Sequence, residues 1–174
     1  MNRRNFIQNA VVIGAASFIK PSFTMEINNL NAQQVKDDIS LAQWALVEEI
    51  RAGKWKNLEF PRVAREDFGL NGIEFVNTLF EVPTEGYLKK LKQNAASYGV
   101  TMVLIMVDDE GDGCADTREG RRQFAINHRK WVDIAHYLGC HAVRTNCRGP
   151  QNVDKKEALN WAAESYHMLL DYAA

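Results

Sequence analysis

A chain of 174 residues that is 46% hydrophobic and 25% charged fits one ordinary globular domain, not a disordered or fibrous protein. Its formal net charge of -1 and sequence pI of about 6.4 remove the attraction on which non-specific nucleic-acid binding rests, so no DNA or RNA partner is expected. The longest apolar candidate, residues 10–19, has about half the ~18 residues of a membrane-spanning helix. Three cysteines, Cys114, Cys140 and Cys147, show neither CxxC nor zinc spacing, and read as small apolar residues, two of which could be bridged in an oxidising compartment.

The N-terminus combines a basic stretch, Asn2-Arg3-Arg4-Asn5-Phe6, with the apolar and small residues Ala10 to Ala16. This resembles a twin-arginine export signal over residues 1–24, which implies a periplasmic protein with no stable membrane association after export. A start at Met25 would instead leave the protein cytoplasmic. Residues 25–36, with Asn28, Asn29, Asn31, Gln33 and Gln34, have no apolar periodicity and read as a linker, which leaves residues 37–174 for the folded domain.

Within that domain the first strand is expected over Ile39–Leu46, followed by a short helix over Pro61–Phe68, where proline suits the first helical turn. Three times an amphipathic segment then ends in an aromatic residue or leucine and a glycine before a β-rich run. Phe68-Gly69 leads into Gly72–Phe80, Tyr98-Gly99 into Val100–Val107, and Leu138-Gly139 into Cys140–Cys147. A glycine just past the last turn closes a helix with positive φ, so each marks a helix-to-strand joint. Leu88, Leu91, Ala95 and Tyr98 form one helical stripe, and Phe124, His128, Trp131, Ala135 and Leu138 a second. A third comprises Leu159, Ala162, Tyr166, Leu169 and Leu170, behind an Asp154 cap. Val100–Val107 is apolar on both faces, as expected of a parallel strand covered on each side. Four strands alternating with helices give an α/β chain with a parallel sheet and right-handed crossovers, either part of a barrel or an open sheet. The absence of a glycine-rich loop after the first strand argues against nucleotide binding.

Five stretches in order carry a family resemblance: Ile39 to Trp44, Asn71 to Asn77, Leu104 to Gly111, Asn127 to Trp131, and Leu138 to Asn146. The chain from about Ile39 onward resembles sugar phosphate isomerase/epimerase proteins, which share the xylose isomerase-like TIM barrel. The resemblance implies a (β/α)4 unit, the N-terminal half of a TIM barrel and thus an incomplete one, since such barrels have eight strands. It also implies aldose–ketose isomerisation or ketose epimerisation, with a sugar or sugar phosphate as partner and a divalent metal such as Mn2+ or Mg2+ in the complete barrel. In that family Glu, Asp and His residues at the ends of later strands hold the metal, and two glutamates move the proton. This chain is therefore expected to hold no metal cofactor of its own and to be inactive alone.

TIM-barrel sites lie at the carboxyl ends of the strands, which here offer Gln43 and Trp44, Glu74 and Asn77, Asp108 to Glu110, and Arg144 and Asn146. The residues expected to bind substrate are Glu74, Asn77, Asp108, Glu110, Arg144 and Asn146, with Arg144 foremost because its planar fork can pair with an anion or a diol. Each has a plainer alternative. Glu74 could anchor neighbouring strands, Asn77 and Asn146 could bond loop backbone, and Arg144 could pair with Glu74 or Asp108. His128 lies on an apolar stripe and reads as a packing residue. Asp108, Glu110, Asp112, Gly113, Asp116 and Glu119 match positions 1, 3, 5, 6, 9 and 12 of an EF-hand loop, but a strand precedes them. The favoured reading is an acidic loop entering a helix capped by Asp116 or Thr117. A four-stranded parallel sheet also leaves two edges and an apolar inner face open, which points to a homodimer or a second half-barrel as partner.

Overall fold

The computed structural model describes residues 39–174; the expected export signal and linker lie outside the described residues. The elements follow one another as β1 (Ser40–Ala42), α1 (Val47–Arg51), α2 (Phe60–Glu66), β2 (Gly72–Val76), α3 (Glu85–Ser97), β3 (Thr101–Val107), α4 (Arg118–Leu138), β4 (Ala142–Thr145) and α5 (Lys155–Ala173). Short 3-10 turns occupy Gln43–Leu46, Asn57–Glu59 and Asn77–Leu79. Local chemistry sets most of these boundaries. Pro61 sits in the first turn of α2, where its missing N–H leaves no helical bond unmade. Thr84 accepts the Tyr87 amide at the start of α3, and Thr117 accepts that of Gly120 at the start of α4. Asp154 accepts two amides, those of Lys156 and Glu157, at the start of α5. Gly69, Gly99 and Gly139 all adopt positive φ (67°, 63° and 85°), the conformation in which a Cβ is penalised, so the three joints lie where the glycines place them.

All neighbouring strands are parallel and follow chain order, β1-β2-β3-β4. The register aligns Ala42, Glu74, Leu104 and Ala142 across the sheet, with Val76, Met106 and Arg144 forming the next row toward the carboxyl ends. Paired residues of parallel strands share a face, so these rows lie on the side away from the helices. On the other side Leu41, Ile73, Phe75, Ile105 and Val143 join Val63, Leu88, Leu91, Ala95, Trp131, Ala135 and Leu138 in one core. Each large apolar side chain buried there contributes about 1.5–3 kcal/mol, which is why the helices stay on this face.

Three expectations need correction. The first strand is three residues long, because Gln43 leaves the strand and turns a fully buried side chain inward: its Oε1 accepts the Val76 amide at 2.7 Å and its Nε2 donates to Asn57 Oδ1 at 2.6 Å. The third strand is covered on each side only toward its carboxyl end, where Ile105, Met106 and Val107 are buried, while Val103 and Leu104 remain partly exposed. Helix α5 buries Ala162, Ser165, Leu169 and Ala173, but Leu159 and Leu170 are 68% and 44% exposed. At 100° per residue those two leucines share a side about a quarter turn from the buried stripe. The helix docks on α4 through Leu169 and Tyr166 against Phe124 and Ala125, and that stripe leaves the two leucines uncovered. Among the described residues no helix is long and apolar enough to cross a membrane.

Arg121 ties the two longest helices to the loop after β3. Its buried guanidinium donates to Glu164 at 2.8 Å and to the carbonyls of Ala115 and Asp116 at 2.8 and 2.9 Å. Replacing it by methionine keeps the volume but strips three acceptors of a charged donor. Urea unfolding of Arg121→Met should show a stability loss of about 2–3 kcal/mol, and an unchanged midpoint would contradict this role.

Candidate functional site

Four of the six residues expected at the strand ends meet in one polar cluster. Asn77, the first residue after β2, is 5% exposed, and its side chain pairs with the backbone of Asp108 just past β3. Its Nδ2 donates to the Asp108 carbonyl and its Oδ1 accepts the Asp108 amide, both at 2.8 Å. Asp108 in turn accepts a hydrogen bond from Asn146 Nδ2 through Oδ1, and Arg144 lies 3.7 Å from the same oxygen. Arg144 also donates to Asn146 Oδ1 at 2.8 Å. The chain then turns away at Asp109, whose φ of 60° is tolerated by an aspartate. The ends of β2, β3 and β4 are thereby joined side by side by one carboxylate, one guanidinium and two amides.

Within this cluster the Asp108 Oδ2 atom is buried and has no hydrogen-bond partner. A desolvated carboxylate oxygen without a donor is costly, and a ligand donor reaches it only if the side chain turns outward. Arg144 remains exposed beside it, with a side chain 43% accessible.

Glu74 and Glu110 stand apart from the cluster. Glu74 lies mid-strand and accepts a hydrogen bond from Ser40 Oγ on β1, the strand-anchoring arrangement. Glu110 accepts from Trp131 Nε1 at 2.7 Å and pairs with Lys130 at 2.6 Å, so its carboxylate holds the loop against α4. A polar chain that the sequence did not reveal underlies the first two strand ends. From Gln43 it runs to Asn57, whose Nδ2 donates to the Tyr87 hydroxyl at 2.8 Å, and Tyr87 donates to Glu81. Burial, followed by the hydrogen bond to Glu81, pushes the Tyr87 phenol above its ordinary range, so it stays a donor. Trp44 is 38% exposed beside this chain, with Arg51 5.7 Å from its ring centre.

The described residues do not fit a divalent metal. Among the described residues no group of three or more His, Cys, Asp or Glu side chains gathers closely enough to hold one. The acidic loop after β3 disperses its carboxylates in the same way. Asp108 faces Asn146, Glu110 faces α4, and Glu119 lies 3.7 Å from Arg122, while Thr117 caps the helix that follows. A groove of about 330 Å³ lies elsewhere, lined by Glu85, Leu88, Asp133, Ile134 and Tyr137 of α3 and α4.

No protein-family model and no curated protein matches this chain. Among solved structures it is similar to the "Putative Xylose isomerase" of Rhodospirillum rubrum, with a TM-score of 0.56 and 13% sequence identity, over 68% of this chain and 45% of that one. At that identity the likeness establishes the fold alone. The described strands and helices form a parallel (β/α)4 unit with the fold of half a TIM barrel, and the chain spans less than half the length of that protein.

His128 plays the packing part expected of it. It is 2% exposed, its Nδ1 lies 2.7 Å from the Phe124 carbonyl, and its ring rests 4.1 Å from that of Phe124. Burial is the main cause that lowers its pKa, opposed by the Phe124 carbonyl and by Glu110. The unfolded chain therefore takes up a proton at this position before the folded one does, and stability is lost as pH falls below about 6.5. The thermal midpoint should drop between about pH 7.5 and about pH 5.5, and His128→Leu should flatten that drop; an equally steep drop in the variant would contradict it.

Proposed function

We propose that this chain is the sugar-gripping half of an isomerase/epimerase-type barrel, in which Asp108, Arg144 and Asn146 bind hydroxyls or a phosphate group and Asn77 positions Asp108. The observation that carries the reading is the buried, unpartnered Asp108 Oδ2 beside the exposed Arg144 guanidinium, at the carboxyl ends of parallel strands. The pair suits a polyol that bears a negative group, because the anion pairs with the exposed Arg144 and a hydroxyl donates to Asp108 once its side chain turns outward. The half-exposed Trp44 at the end of β1 offers an apolar face for a sugar ring. No proton-transfer step is assigned to these residues: Glu74 and Glu110, the two glutamates expected at these strand ends, are committed to Ser40 and to α4. Isomerisation or epimerisation belongs to the whole barrel, with its divalent metal, and not to this half.

Calorimetric titration with D-fructose 6-phosphate tests the binding. Millimolar or tighter association is expected, with Arg144→Ala weakening it by about 10-fold or more; binding that Arg144→Ala leaves unchanged would overturn the reading. In assays for ketose epimerisation with added Mn2+ or Mg2+ the chain alone should give no turnover, and turnover abolished by a chelator would contradict that expectation.

Our second reading is self-association, favoured by the open sheet. Among the described residues β1 and β4 each have one paired side only, Ala42, Leu104 and Ala142 are half-exposed on the inner face, and Leu159 with Leu170 forms an exposed apolar stripe on α5. A second copy related by a twofold axis along the cylinder keeps every strand parallel and sets β4 of each copy against β1 of the other, so both edges close together. Light scattering at micromolar concentration should report a dimer, and a stable monomer would exclude this arrangement.

A further inference from the structure

The loops after β3 and β4 touch at a second place, beyond the polar cluster. Cys114 from the first loop and Cys147 from the second lie 33 positions apart in sequence, with their sulfur atoms 2.7 Å apart. The surrounding backbone is fastened on both sides of this contact. The Cys114 amide donates to the Arg148 carbonyl at 2.8 Å. Gly149 lies so close that a Cβ placed there would come within 2.7 Å of Cys114 Cβ and closer still to its carbonyl oxygen, so only glycine permits the approach. Cys147 is exposed, Cys114 is buried, and Cys140 is buried in the core cluster before β4.

We propose that Cys114 and Cys147 are a redox modification site: they form a reversible intrachain disulfide, by exchange with a small-molecule disulfide such as oxidised glutathione, that staples the two loops at the rim of the polar cluster. In the first step the exposed Cys147 thiolate attacks one sulfur of the external disulfide, releasing one thiolate and leaving a mixed disulfide. The Cys114 thiolate then attacks the Cys147 sulfur and expels the second. Two protein thiols are oxidised, one external disulfide is reduced to two thiols, and the two protons pass to the released thiolates. Burial, together with the neighbouring Cys147, pushes Cys114 up to about 11, so the closing step is slow near neutral pH and quickens as pH rises. Cys140, pushed up to about 12 by burial, stays reduced and serves as an internal reference. Because Asn146 directly precedes Cys147, the closed bridge restrains the residue that hydrogen-bonds Asp108. This inference does not depend on the sugar reading.

Equilibrating the full chain in buffers of reduced and oxidised glutathione, followed by thiol counting after unfolding, intact mass and peptide mapping, tests it. The expected result is loss of two of the three thiols as a single Cys114–Cys147 cross-link, with a rise in thermal midpoint on the order of 10 °C that dithiothreitol reverses. Cys140→Ser should keep this response and Cys147→Ser should abolish it. Retention of all three thiols in the fully oxidised buffer, a persistent glutathione adduct on Cys147 alone, or cross-links between chains would each overturn the proposal.

Discussion

Asn77 extends the β2–β3 ladder by one step beyond the point where the strands stop. Its carboxamide bonds the amide and the carbonyl of Asp108 as a neighbouring peptide group would, but it does so from a side chain. The ends of the two strands are therefore locked in register while the backbone of β2 is released into the Asn77–Leu79 turn. Everything distinctive about the polar cluster follows from that lock. With its backbone held, Asp108 presents its carboxylate to β4, where Asn146 and Arg144 converge on one oxygen and leave the other without a partner. Held against this carboxylate, the exposed Arg144 guanidinium is preorganised toward a ligand anion.

The same sheet is packed with helices on one face and only partly covered on the other, where Val76 and Met106 are buried but Leu104 is half-exposed. Aromatic and aliphatic side chains from three helices fill the outer side, where Phe80 meets both Phe75 and Trp131 edge-on at 5.5 Å. The inner face carries Ala42, Glu74, Leu104 and Ala142, a row with one carboxylate among small and apolar groups. In a closed barrel such rows interleave with those of the opposite strands. The open edges and the half-exposed inner row thus share one origin, a four-stranded parallel sheet with its helices on one side.

Much of this was legible in the sequence because it depends on short-range rules. Gly69, Gly99 and Gly139 mark backbone conformations that few other residues adopt, Thr117 and Asp154 are polar groups placed to take orphan amides, and helical stripes repeat at fixed spacing. The end of β1 was misjudged because Gln43 is drawn inward by Asn57 and by the Val76 amide, contacts 14 and 33 residues away that no local pattern announces. Leu159 and Leu170 were misplaced because periodicity gives a helix an apolar side without saying how wide a partner lies against it. Barrel logic located the strand ends and therefore Asn77, Asp108, Arg144 and Asn146. It could not tell that Glu110 would be taken up by Trp131 and Lys130, which lie within 2.7 Å in space but some 20 residues on in sequence. The Asn57, Tyr87 and Glu81 relay was invisible for the same reason, being assembled from three separate loops and helices.

If Asp108 is the hub that holds three strand ends together, Asn77 and Asn146 must be coupled through it. A double-mutant cycle on unfolding free energy, with Asn77→Ala, Asn146→Ala and the pair, measures that coupling directly. An interaction energy of about 1 kcal/mol or more is predicted, since either loss frees Asp108 and weakens what the other can hold; additivity to within about 0.3 kcal/mol would contradict the account.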